Sequence, residues 1–256
     1  MRVLYAAGAA AAGYALICLV LFLAQDRLLY LPTEAVARPG ARSLSIEHGG
    51  ATLRLWELHA EAVPALIYFG GNAEDVGANV TEFDAVFPPR AVYLVNYRGY
   101  GGSTGRPSEA ALLSDAEAIY DFVSAHHSPV AVIGRSLGSG VAVALAASRP
   151  VERLILVTPF DSLANVAADH FRWLPVRWLV RDRYDSERRI GRVTAPILAV
   201  VAEYDEVVLR ARSDALIAAI PQPLRHTLLV RGATHNDVSF DPAYWPGLRD
   251  FLYRAP

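Results

Sequence analysis

Residues 132–140 read VIGRSLGSG: an apolar run into Gly134, then Ser136, then Gly138 and Gly140 opening an alanine-rich stretch. A G-x-S-x-G turn between a strand and a helix lifts a serine hydroxyl out of the backbone. It faces the first N–H groups of the helix, where negative charge is stabilised. Glycine at the flanking positions lets strand and helix approach closely, and the sharp turn holds the serine in a strained conformation. The chemistry this pattern can do is nucleophilic attack by Ser136 on a carbonyl. Five residues alone would equally describe a glycine-rich turn with a capping serine. The apolar run Pro129–Gly134 before it and the helical pattern Ser136–Arg149 after it favour the nucleophile.

A serine hydroxyl needs a base to take its proton, and imidazole exchanges a proton near neutral pH. Of seven histidines, His235 in the loop GATHND follows an apolar run and falls at the C-terminal edge of a sheet, where Ser136 also emerges. His48, His59, His126, His127, His170 and His226 lie in strands, at turns or on helix ends and are read as structural. The imidazole needs an acceptor that fixes its tautomer and stabilises the imidazolium. Asp205 in AEYDEVV is that candidate, with Glu203 and Glu206 as rivals in the same acidic loop. The resulting order, Ser136, Asp205, His235, is the one that accompanies this elbow. A tetrahedral oxyanion needs two donors. The N–H of Leu137 is one; the loop GGNAEDVG, through the N–H of Asn72, is expected to supply the other.

Eight strands position these loops: Ser43–His48, Ala51–Leu58, Ala65–Phe69, Ala91–Val95, Val130–Gly134, Arg153–Val157, Ile197–Ala202 and Thr227–Val230. Helical patterns fall at Val80–Phe87, Ala110–Ala125, Ser136–Arg149, Arg210–Ile220 and Trp245–Arg254. The later strands are continuous apolar runs, as in a parallel sheet covered on both faces, so the class is α/β with an antiparallel start. Asp161–Val193 interrupts the alternation, mixing Phe171, Trp173, Leu174, Trp178 and Leu179 with Arg172, Arg177, Arg181 and Arg183. It reads either as a lid over the strand ends, shaping an apolar pocket and touching lipid, or as a helix pair whose tryptophans fill the core.

Val3–Ala24 carries no charge, and a helix of that length rises about 33 Å, enough to cross a hydrocarbon layer of about 30 Å. It is too long for a signal-peptide core and shows no polar face, so residues 1–25 read as a transmembrane anchor. Residues 26–42 then form a connector and 43–256 the catalytic domain. Arg2 on one side and Arg27, Arg38 and Arg42 on the other leave the sidedness open. All 24 basic residues are arginine. Without lysine there is no Schiff base, Ser-Lys dyad or P-loop, and the composition is that of a GC-rich bacterial genome. The lone cysteine, Cys18, lies in the apolar segment, so one chain can build no disulfide framework or zinc cluster. A net charge of -2 gives no electrostatic case for nucleic acid.

QDRLLYLP, YFGGNAEDVG, NYRGYGGSTGRPSE, VIGRSLGSGVA, TPFDSL, APILAVVAEYDEVV and RGATHND, behind an N-terminal anchor, together resemble the membrane-anchored α/β-hydrolases of the serine aminopeptidase-like group. These are related to α/β-hydrolase-domain depalmitoylases and lipid hydrolases. The resemblance implies the α/β-hydrolase fold, with nucleophile, acid and base on Ser136, Asp205 and His235. One departure stands out: such proteins usually carry His-Gly-Asn where this chain has Gly70, Gly71 and Asn72. The expected function is ester or thioester hydrolysis through an acyl-enzyme on Ser136, on a small-molecule or lipid acyl substrate near a membrane. Neither cofactor nor metal is expected. The same triad cleaves amides, so a peptidase or amidase stays open, as does a catalytically silent, membrane-tethered binding module.

Overall fold

The computed structural model describes residues 1–254. Eight strands form one sheet: β1 (Arg42–His48), β2 (Ala51–Leu58), β3 (Ala65–Phe69), β4 (Ala91–Val95), β5 (Val130–Arg135), β6 (Leu154–Val157), β7 (Ile197–Ala202) and β8 (Arg225–Val230). Their order is β1-β2-β4-β3-β5-β6-β7-β8. The β1–β2 and β2–β4 pairs are antiparallel, and every pair from β4 to β8 is parallel. This is the α/β-hydrolase fold. The chain enters the parallel part at β3, steps to β4 on one side and then crosses back to β5 on the other. Loops leaving the C-terminal ends of β3 and β5 therefore diverge and leave a crevice between them, the usual place for a ligand in an open α/β sheet.

Alternating side chains of the sheet feed two cores. Ile67 and Phe69 of β3 join one, with Leu112 and Ile119 of α3 (Glu109–Ser124) and Val141 of α4 (Leu137–Ala146). Leu66 and Tyr68 join the other, with Phe83 of α2 (Val80–Val86) and Leu248 and Phe251 of α9 (Tyr244–Tyr253). Burial on both faces explains why β3 to β7 are continuously apolar rather than alternating. The helix α8 (Arg210–Ala219) adds Leu216 to the first core. β2, β3, β4 and β7 have the expected limits, and the other strands and the helices packed on the sheet shift by one to three residues at one end or both. At the site, α4 starts one residue later than expected, at Leu137, because Ser136 has a φ of 51° and cannot be helical.

The N-terminal helix α1 (Arg2–Leu29) is long and apolar enough to cross a membrane, and none of its residues is buried. It runs five residues past Ala24, so the connector begins at Tyr30 rather than at residue 26. The segment 161–193 folds as α5 (Leu163–His170), α6 (Val176–Leu179) and α7 (Ser186–Ile190). Its first two helices, the segment expected as a lid, lie beside α1, whereas Tyr184, Ile190 and Val193 are buried in the core. Phe171, Trp173 and Trp178 are exposed rather than core-filling, Trp178 by 90%. α1 lies along this lid. Tyr14 donates to the Trp173 carbonyl at 2.8 Å, Gln25 accepts from the Arg181 N–H at 2.8 Å, and Arg181 pairs with Asp26 at 2.7 Å.

Candidate active site

Ser136 occupies the single residue between β5 and α4. Its φ of 51° and ψ of -116° lie where residues with a Cβ are strained, at a cost of about 1–3 kcal/mol. The neighbours that permit this turn are glycines for a steric reason. A Cβ on Gly138 would lie 2.6 Å from the Gly70 carbonyl oxygen, and one on Gly134 would lie 2.6 Å from Ala142 Cβ. The turn is held by the Ser136 N–H donating to Val157 O at 2.9 Å. Ser139 adds its N–H at 2.8 Å and its hydroxyl at 2.7 Å to the Ser136 carbonyl.

The three residues expected from the sequence meet at the C-terminal edge of the sheet. Ser136 Oγ lies 3.0 Å from His235 Nε2, and His235 Nδ1 lies 2.9 Å from Asp205 Oδ2 and 3.0 Å from Oδ1. His235 and Asp205 are buried while Ser136 faces the crevice. The Asp205 carboxylate is itself fixed, since Oδ1 accepts the N–H groups of Val207 at 3.0 Å and Val208 at 2.7 Å. The rival acids serve backbone instead. Glu203 accepts from the Gly232 N–H at 2.8 Å and Glu206 from the His235 N–H at 3.3 Å. The other histidines hold structure: His127, for one, is buried between the Tyr93 hydroxyl and the Ala62 carbonyl, both at 2.8 Å.

The second expected donor, the Asn72 N–H, lies on a loop that passes close to the serine. A Cβ on Gly71 would be 3.6 Å from Ser136 Cβ. The Gly71 N–H is already taken, donating to Glu74 Oε2 at 2.6 Å, whereas among the described residues no acceptor takes the N–H of Asn72 or of Leu137. The Asn72 side chain is fully engaged. Its amide donates to the Leu29 carbonyl at 2.6 Å, and its oxygen accepts from the Tyr100 hydroxyl at 2.7 Å and the Leu31 N–H at 3.0 Å. Tyr97 donates to the Gly70 carbonyl at 2.7 Å. Burial lifts the Tyr100 pKa to about 12, against the opposing pull of the Leu31 N–H, so Tyr100 stays a donor at neutral pH. The crevice encloses about 420 Å³ between Asn72, Glu74, Arg135, Ser136, Val207 and His235.

Residues 88–181 match the family described as serine aminopeptidase, S33. An uncharacterized protein of Mycobacterium tuberculosis is 37% identical over 228 residues, which cover 83% of this chain and 81% of that protein. The chain is an α/β-hydrolase of that family. Protein bem46 of Schizosaccharomyces pombe is 28% identical, over 75% of this hydrolase and 68% of its own length. Among solved structures, the Pyrococcus furiosus esterase Pf2001 superposes with a TM-score of 0.73 over 88% of this chain and 99% of its own, at 17% identity. That likeness shows the fold alone, while fold and family together support an enzyme.

The sequence showed the block NYRGYGGSTGRPSE, and Arg98 within it pairs with the buried Asp115. It gave no sign that Tyr97 and Tyr100 reach across to the loop opposite the serine, nor that Glu74 and Arg135 line the crevice of this hydrolase. Their separation in sequence hides them: Tyr97 and Gly70 stand 27 residues apart and meet because β3 and β4 are neighbours.

Proposed function

We propose that this hydrolase cleaves ester or thioester bonds of an apolar acyl substrate near a membrane, through an acyl-enzyme on Ser136. The line from Ser136 Oγ through His235 to Asp205, at 3.0 and 2.9 Å, carries the reading. His235 takes the Ser136 proton as Oγ attacks the acyl carbon, Asp205 stabilises the imidazolium, and the N–H groups of Leu137 and Asn72 receive the oxyanion. The imidazolium returns its proton to the leaving oxygen or sulfur. A water activated by the same imidazole then releases the acid and restores Ser136.

Two observations support an apolar acyl group and a membrane setting. An apolar groove of about 410 Å³ runs between α1 and the lid, walled by Leu21, Phe22 and Leu29 on one side and Leu163, Phe171 and Leu174 on the other. Leu29 of its wall adjoins the loop opposite Ser136, its carbonyl accepting from the Asn72 side-chain amide at 2.6 Å. α1 has the length and hydropathy of an anchor, and Trp173 and Trp178 are exposed beside it, amphipathic rings that suit a membrane interface. An aminopeptidase would need a free carboxylate for the substrate ammonium. Glu74, which lines the crevice, already accepts from Tyr68, Gly71 and Asn79 at 2.6 to 2.7 Å, which favours the ester reading.

The test is a panel of p-nitrophenyl esters of increasing chain length, an acyl thioester and an aminoacyl anilide, given to the full-length protein in detergent. Ser136-dependent turnover of the esters or thioester, rising with chain length, is expected. Turnover of the anilide alone would replace this reading by a peptidase. A folded protein that neither turns over any of them nor labels with a fluorophosphonate at Ser136 would leave a binding module.

A further inference from the structure

Glu74 is a charged side chain only 14% exposed beside the loop that must receive the oxyanion, and its environment is built for it. Oε1 accepts from the Tyr68 hydroxyl at 2.6 Å and from the Asn79 amide at 2.7 Å; Oε2 accepts from the Gly71 N–H at 2.6 Å. Burial and the neighbouring Glu74 hold the Tyr68 phenol well above its ordinary range, so it remains a donor. Arg135, the residue before Ser136, brings Nη1 to 3.9 Å from Glu74 Oε2. From Nη2 it donates to the carbonyls of His235 at 3.4 Å and Asn236 at 3.3 Å. One guanidinium thus touches both the loop facing the serine and the loop bearing the base.

Gly70 leaves room beside this carboxylate. A Cβ at position 70 would lie 2.5 Å from Val76 Cγ1 and 3.3 Å from the Glu74 carboxyl carbon and oxygen. A side chain there would displace Val76 and press on the present seat of Glu74.

We propose that Glu74 is a positioning residue that orients the Gly71–Asn72 peptide so that the Asn72 N–H faces the oxyanion, with Arg135 neutralising its charge and tying it to the His235 loop. Capturing the Gly71 N–H fixes the Gly70–Gly71 peptide and with it the orientation of the next one, whose N–H, on Asn72, has no acceptor among the described residues. Ala73, at a φ of 58°, completes the turn. A carboxylate this close to a developing negative charge would oppose the reaction if it were bare, and the Arg135 guanidinium removes that opposition. The inference rests on the hydrolase reading above.

Glu74→Gln keeps the shape but puts an amide nitrogen among three donors, so one contact is lost and the loop turns. Glu74→Asp keeps the charge but falls one methylene short of Gly71. Both are expected to lower kcat about 10²-fold, as for one misaligned oxyanion donor, with KM changed by less than about threefold. The readout is steady-state kinetics on the best ester of the panel, with the fluorophosphonate labelling rate of Ser136 falling in parallel. Circular dichroism and the thermal midpoint identify which variant is folded; Glu74→Asp, the milder change, carries the test if Glu74→Gln is not. A folded variant with kcat within about threefold of wild type, or a loss confined to KM, overturns the assignment. Failure of the hydrolase reading itself looks different, since the wild-type protein would then show no Ser136-dependent turnover.

Discussion

Replacing Asp205 by Asn is the sharpest probe of the site, because the surrounding hydrogen bonds dictate how the new amide must sit. Oδ1 of Asp205 accepts two backbone N–H groups, from Val207 and Val208, and an amide NH₂ cannot take that place. The Asn oxygen stays with the backbone, and its NH₂ faces His235 Nδ1 at the 2.9 Å now spanned by Oδ2. A donor there makes Nδ1 its acceptor, the Asn oxygen 3.0 Å away being held by the two backbone N–H groups, and moves the ring proton to Nε2, which stands 3.0 Å from Ser136 Oγ. The imidazole then offers a proton to the serine it should deprotonate, and it also loses the charge that stabilises the imidazolium. The same reversal in another serine hydrolase lowers kcat about 10⁴-fold, which is ~5.5 kcal/mol of barrier at 1.36 kcal/mol per tenfold. The assay is kcat on the best ester of the panel for wild type, Asp205→Asn and Glu206→Gln. Since Glu206 meets only the His235 backbone N–H, at 3.3 Å, its change is expected to cost less than about tenfold. The His235 ring nitrogens, followed by ¹⁵N resonance, should exchange protonated and bare positions in Asp205→Asn. A folded Asp205→Asn protein within tenfold of wild type, or one with an unchanged tautomer, would refute the assignment of Asp205 as the orienting acid.

Gly138→Ala places a methyl 2.6 Å from the Gly70 carbonyl oxygen, backbone that cannot yield; a loss of about 3 kcal/mol in urea unfolding is expected, and an unchanged midpoint would contradict the packing described. Tyr30→Phe removes a hydroxyl that donates to Asp182 at 2.6 Å and lies 2.9 Å from the Tyr184 hydroxyl, which should lower stability by about 1–3 kcal/mol and speed proteolysis within 163–181; equal cleavage rates would show that the connector does not hold the lid. Ala167→Trp fills the apolar groove, so kcat/KM should fall about tenfold for long-chain esters and stay within about twofold for short ones; parallel losses would separate the groove from the acyl group. Alkaline carbonate should leave the full-length protein in the membrane pellet and release a variant lacking residues 2–24; release of both would remove α1 as an anchor.

Much of the site is local in sequence and therefore legible there. Gly134, Ser136 and Gly138 fall within five residues, because a strand-to-helix turn is a short-range object whose steric demands act on immediate neighbours. Asp205 and His235 each directly follow an apolar strand, and in a parallel sheet all such loops emerge at one edge, so their convergence on Ser136 follows from the strand pattern. Strand order, the choice among the three acids of the Glu203–Glu206 loop, and the extent of the lid depend on packing. No local signal distinguishes Asp205 from Glu206. Burial and the two N–H groups of Val207 and Val208 do, once the loop is closed. The sequence also shows a loop, Gly70 to Asn72, that departs from the usual His-Gly-Asn. The folded chain surrounds that loop with Glu74, Tyr97, Tyr100 and the end of α1.

By itself, the sequence determined the fold class, singled out Ser136 and His235 as candidate nucleophile and base, and marked an apolar helix of membrane-spanning length, because periodicity and turn chemistry act over a few residues. Only the tertiary structure decided what holds the loop opposite Ser136, since that support comes from the ends of β3, β4, β5 and α1 at once. Hydrogen bonds and an ion pair between residues 27 to 61 positions apart leave no periodic trace in the chain.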